Sequence, residues 1–69
     1  MTETLGDALP KRMAEIRDVY IPAYEAAGPA GQPAISLMKA ELDRAAAAMA
    51  EGDVIAMINS YQSLMEWKL

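Results

Sequence analysis

The 69-residue chain contains no cysteine, no histidine and no phenylalanine. Without cysteine it forms no disulfide and offers no thiolate to a metal. Without histidine it lacks the commonest neutral metal ligand and the usual proton shuttle of triad and acid/base mechanisms. Basic residues are scarce too, with six Lys and Arg against ten Asp and Glu, a net charge of −4. A field of that sign repels phosphate backbones, so the expected partner is a protein with a basic patch and not free nucleic acid. Long apolar runs are missing as well. The longest covers residues 45–50, well short of the roughly 18 residues a spanning helix needs, so no membrane association is expected. The opening Met1-Thr2-Glu3-Thr4 shows no basic stretch leading into an apolar run, hence no secretory leader is read and a cytoplasmic location is expected.

What is present is small and alanine-rich. Fourteen of the 37 apolar residues are alanine, which leaves 23 side chains bulky enough to drive burial in one domain with a thin core. Two breaks divide it. Gly28-Pro29-Ala30-Gly31-Gln32-Pro33 puts two glycines and two prolines into six positions, a density no helix interior tolerates, so residues 28–32 are read as a connector. Glu51-Gly52-Asp53 sets a glycine where a left-handed helix cap belongs and an aspartate where an N-cap oxygen belongs, a tight helix-to-helix joint.

Between the breaks the apolar residues recur at steps of three and four, the period of one helix face. Met13, Ile16, Tyr20, Ala23 and Ala27 form the first stripe; Ile35, Met38, Leu42, Ala45 or Ala46, and Met49 the second; Val54, Met57, Ile58, Tyr61, Leu64, Met65 and Trp67 the third. The spacing predicts helices over about 8–27, 33–51 and 53–68. Asp7 is read as a cap for the first and Pro10 as part of its first turn, and Pro22 is expected to kink or restart it because its ring collides with the Asp18 carbonyl in a straight helix. Lys39, Glu41, Asp43 and Arg44 are read as the outer face of the second, with Lys39–Asp43 and Glu41–Arg44 at ion-pair spacing. The expected fold is all-α: a three-helix bundle whose last two helices make an antiparallel hairpin.

No catalytic, metal or cofactor site is expected. Glu41 and Asp43 stand two apart on a helix and do not face each other, Glu51 and Asp53 are committed to the joint, and the Glu-x-x-His pairs of di-metal bundles require a histidine. Ser36, Ser60 and Ser63 have no base beside them with a pKa near neutrality, and no glycine-rich phosphate motif occurs. A DNA-reading helix needs Arg, Lys, Asn or Gln on its exposed face, and residues 54–69 offer only Asn59, Gln62 and Lys68, with the net charge of the wrong sign. The expected function is therefore non-enzymatic: a small acidic interaction protein that binds a surface of a larger macromolecular partner, as an inhibitor of a nucleic-acid-binding protein complex. Partner-binding residues are expected among Tyr20, Tyr24, Glu41, Asp43, Glu51, Tyr61 and Trp67, which combine negative charge with aromatic rings that each carry a hydrogen-bonding atom. The alternative is a structural homo-oligomer or scaffold subunit, a homodimer being the simplest form, with the methionines of the three stripes buried between copies.

Overall fold

The computed structural model describes residues 3–69. It is an all-α bundle of three helical rods, with no strand among the described residues. The first rod is composite. An α-helix, α1 (Leu5–Glu15), runs into one π-helical turn over Ile16–Tyr20 and out through a short helix, α2 (Ile21–Glu25). It begins three residues earlier than the spacing implied, because the extended Thr4 acts as N-cap: its carbonyl accepts from the amides of Asp7 and Ala8, and its hydroxyl donates to Asp7 Oδ2 at 2.8 Å. Asp7 thus lies inside the first turn, where its charge complements the helix dipole, and does not cap it. Pro10 is the sixth helical residue rather than part of the first turn, and it removes the donor that the Gly6 carbonyl would use in an unbroken ladder.

The π turn is how this helix accommodates Pro22. The Ile21 amide donates to the Ile16 carbonyl, five residues back, so the ladder widens just ahead of the proline and α2 starts afresh with Pro22 in its first turn. That restart was expected; its effect on the stripe was not. Ile16 and Ile21, five apart, are both buried, whereas Ala23 and Ala27 are exposed and Tyr20 is only half-buried.

The glycine- and proline-rich connector is a 3₁₀ turn over Gly28–Gly31 and not an open loop, and Gln32 already belongs to the next helix. Gly31 is required there, since a Cβ at this position would collide with the Tyr24 carbonyl. Helix α3 (Gln32–Glu51) has Pro33 in its first turn and ends at Gly52 in the left-handed conformation, φ 67°. The Asp53 amide reaches back to the Ala48 carbonyl at 3.0 Å, closing the α3 end, and Asp53 Oδ1 accepts from the Ala56 amide at 3.1 Å to open α4 (Val54–Met65). The last helix stops at Met65, three residues short of the expected end, so Trp67 and Lys68 lie beyond it. No helix is long and apolar enough to cross a membrane.

Helices α3 and α4 pack most extensively on each other, α1 closes over α4, and α2 closes over α3. Leu9, Ile16, Met38 and Leu64 are the large side chains wholly removed from water, joined in the core by Ile21, Ile35 and Ala45. Alanine at 45 and 48 lets the second rod be approached closely, and both residues are buried. On α3 the innermost line is Ile35, Met38, Glu41, Ala45 and Ala48, rotated from the expected one so that Leu42 and Met49 are half-buried. Glu41, expected outside, is 9% exposed.

Candidate partner-binding surface

Three features compete for the role of binding surface: a polar knot at the C-terminal end, a groove between α3 and α4, and an apolar flank of α4. The knot explains why α4 ends early. Arg12 follows Leu9 by three residues and precedes Ile16 by four, so it sits on the buried stripe of α1 and its guanidinium must find partners inside. Its Nε donates to the Leu64 carbonyl at 3.0 Å, its second amino nitrogen to the Trp67 carbonyl at 2.9 Å, and the other to Tyr20 Oη at 3.1 Å, with the cation 4.6 Å from the Tyr20 ring centroid. A positive fork thereby satisfies carbonyls at the negative end of α4. Trp67 donates its indole N–H to Glu41 Oε2 at 2.8 Å and presents its ring edge-to-face to Tyr24 at 6.0 Å, and Tyr24 Oη donates to the Lys68 carbonyl at 3.2 Å.

Four of the seven residues expected to bind a partner, Tyr20, Tyr24, Glu41 and Trp67, therefore meet one another around Arg12 and the last residues of the chain. Asp43 is exposed, Tyr61 is half-buried against the core, and Glu51 lies at the far end of α3. Arg12 itself was missed by the reading of the sequence, although a basic residue in step with Leu9 and Ile16 was the signal. The ion pairs among the described residues are Lys11–Glu3, Arg12–Glu15 and Arg17–Asp18. Neither pair read on the outer face of α3 is among them; Glu41 has turned inward, away from Arg44, toward the indole.

The groove joins two of the expected residues. It has a volume of about 340 Å³ and is lined by Glu41, Arg44 and Glu51 of α3 with Asp53 at the joint, and by small side chains that include Ala47 and Ser63. Three carboxylates against one guanidinium leave its walls negative. From Glu41 to Glu51 is ten helical residues, so the carboxylates stand at opposite ends of a trough about 15 Å long.

The apolar flank faces the other way. Val54, Ile58 and Met65 recur along one side of α4, roughly 150° round the helix from the groove residues Ala56, Asn59 and Ser63 at 100° per residue. They are 59%, 42% and 46% exposed, and Ile55 beside them is 72% exposed. The apolar pattern of the third segment is thus wider than the core it faces: Leu64 is buried and Met57, Tyr61 and Trp67 pack at its edge, while Val54, Ile58 and Met65 meet water. In comparisons with protein-family models, curated proteins and solved structures, nothing matches this chain.

Proposed function

We propose that the chain is a non-enzymatic interaction protein that acts by occupying the surface of a larger partner protein with a basic patch, and that it inhibits a nucleic-acid-binding complex by covering its cationic channel. The observation that carries the reading is the exposed flank of α4. Four large apolar side chains standing in water on one short helix, over a core already closed by Leu9, Ile16, Met38 and Leu64, support reading them as the anchors of an interface. The net charge of −4 supplies long-range attraction to a cationic surface and sets the sign of the partner. A self-standing domain of 7.5 kDa exposes about 4,250 Å² by size scaling, and this chain exposes 4511 Å². It buries its own surface as a monomer does, which favours a separate partner over an obligate second copy.

The test uses two variants of the tagged chain, Ile55→Asp with Ile58→Asp on the flank, and Asp43→Lys with Glu51→Lys on the acidic side. Retention of the partner from host lysate is measured at low and high salt, with circular dichroism confirming the fold. The flank variant is expected to lose the partner, and the charge variant to lose it together with the salt dependence. Retention by both variants at wild-type level refutes the reading. Sedimentation that reports a dimer dissolved by Ile58→Asp replaces it with self-association.

A further inference from the structure

Glu41 is a carboxylate nine-tenths buried whose only hydrogen bond comes from a neutral donor, the Trp67 indole, through Oε2. No Lys or Arg of the described residues pairs with it, although Arg44 lines the same groove one turn away. A buried charge in this condition is incompletely compensated. Its second oxygen shows where compensation enters. Among the described residues no side-chain oxygen or nitrogen is both fully buried and without a partner. Oε1 makes no hydrogen bond, so it still reaches solvent, and the opening that Glu41 lines is the groove. Glu51 and Asp53 keep the other end of that trough negative, while Ala47 and Ser63 in its lining add no bulk. At about 340 Å³ the space is at the small end of ligand sites, suited to one extended side chain and too small for a helix. No third carboxylate, histidine or cysteine converges with Glu41 as a metal would need.

We propose that the groove between α3 and α4 receives a lysine or arginine side chain projecting from the partner protein, its cation hydrogen-bonding to Glu41 Oε1. The proposal rests on the docking reading above and adds the contact that gives it specificity: a charge-assisted bond in a trough open to solvent, on a different side of α4 from Val54, Ile58 and Met65.

The Trp67 indole N–H reports on Glu41 directly, because it is bonded to the same carboxylate. In nitrogen-resolved NMR the full chain is titrated with a short capped peptide carrying one arginine, with its lysine counterpart, and with its citrulline counterpart, which keeps the shape and loses the charge. The expected result is a saturable shift of the indole resonance with arginine or lysine and none with citrulline. Glu41→Gln, which keeps an oxygen for the indole, weakens binding about tenfold or more, and Ala47→Leu, which adds bulk to the groove's lining six residues along α3 from Glu41, does the same. An unsaturable shift, an equal response to citrulline, or Ala47→Leu binding as wild type overturns the proposal, and the last decides alone if Glu41→Gln does not fold. It also falls if Arg44→Gln without peptide moves the indole as far as the peptide does, for then Arg44 is already the counter-ion. Partner retention separates the two readings: Ala47→Leu retaining the partner while the Ile55/Ile58 variant loses it sinks the groove and leaves the docking surface standing.

Discussion

Replacing Arg12 by methionine tests the knot that holds the C-terminal end. Methionine keeps most of the buried length of the side chain and removes the fork, so the loss is one of hydrogen bonds more than of packing. Three bonds go, to the carbonyls of Leu64 and Trp67 and to Tyr20 Oη, together with the cation over the Tyr20 ring. Bonds to a charged group contribute about 1.5–3 kcal/mol each, but most of that gross sum is cancelled by the cost of keeping a guanidinium out of water, which the variant no longer bears. A net loss of about 3 kcal/mol remains, because the Leu64 carbonyl stays buried without a donor. A chain of this length has roughly 3.5–10 kcal/mol of total stability, so the variant sits near the edge of folding. Urea titration followed by the fluorescence of the only tryptophan, Trp67, reads the change locally, and circular dichroism reads it globally. With a denaturant slope of about 1 kcal/mol per molar the midpoint drops by about 3 M. Arg12→Lys recovers less than half of the loss, since an ammonium keeps the charge and cannot span two carbonyls and a phenol. A midpoint shift under about 1 M for Arg12→Met, or full recovery by lysine, refutes the argument that the fork organises this end.

Two glycines separate conformational need from steric need. Gly52→Ala places a Cβ on left-handed backbone with open space around it and costs about 1 kcal/mol, a melting-temperature loss of about 4–8 °C. Gly31→Ala drives a Cβ into the Tyr24 carbonyl at an ordinary φ and costs more than Gly52→Ala in the same scan, so the reverse order contradicts the assignment of the connector. Trp67→Phe keeps the ring against Tyr24 and removes the only donor to Glu41, costing about 1–3 kcal/mol by thermal melting, whereas an unchanged melting temperature shows the indole bond to be dispensable.

The number of rods and both breaks were legible in the sequence because they are set by local chemistry. Gly52 and Asp53 do what their backbone freedom and side-chain oxygen suit them for, with no help from distant residues. Boundaries were misread where tertiary bonds override local preference. The residues after Met65 have ample helix propensity, but the Trp67 carbonyl and indole are claimed by Arg12 and Glu41, 55 and 26 positions away, and no periodicity within the segment records that claim. Glu41 was placed outside by the rule that charged residues face water, a rule with an exception wherever a buried donor waits opposite. The stripe of the first rod lost its phase after Ile16 because a 3.6-residue period assumes every turn is alike. Of the residues expected to bind a partner, Glu41 and Glu51 line the groove. Of the aromatic residues, Tyr24 and Trp67 meet each other beside the last residues, Tyr20 is held by Arg12, and Tyr61 packs on the core.

The π turn has a consequence for how the chain tolerates length change. Ile16–Tyr20 holds one residue more than an α-helical turn would, and the surplus falls among Arg17, Asp18 and Val19, all exposed. Losing any one of these three would damage no contact of the core directly. It would turn the wide turn into an α-helical one with Ile16 and Ile21 four apart and still on one face, so Leu9 and Arg12 would keep their register with the two helices they clamp, and the loss would be the widening that accommodates Pro22. The same deletion at Asp43 or Arg44, inside a regular α-helix with no surplus residue to give up, would rotate everything on one side of it by about 100°.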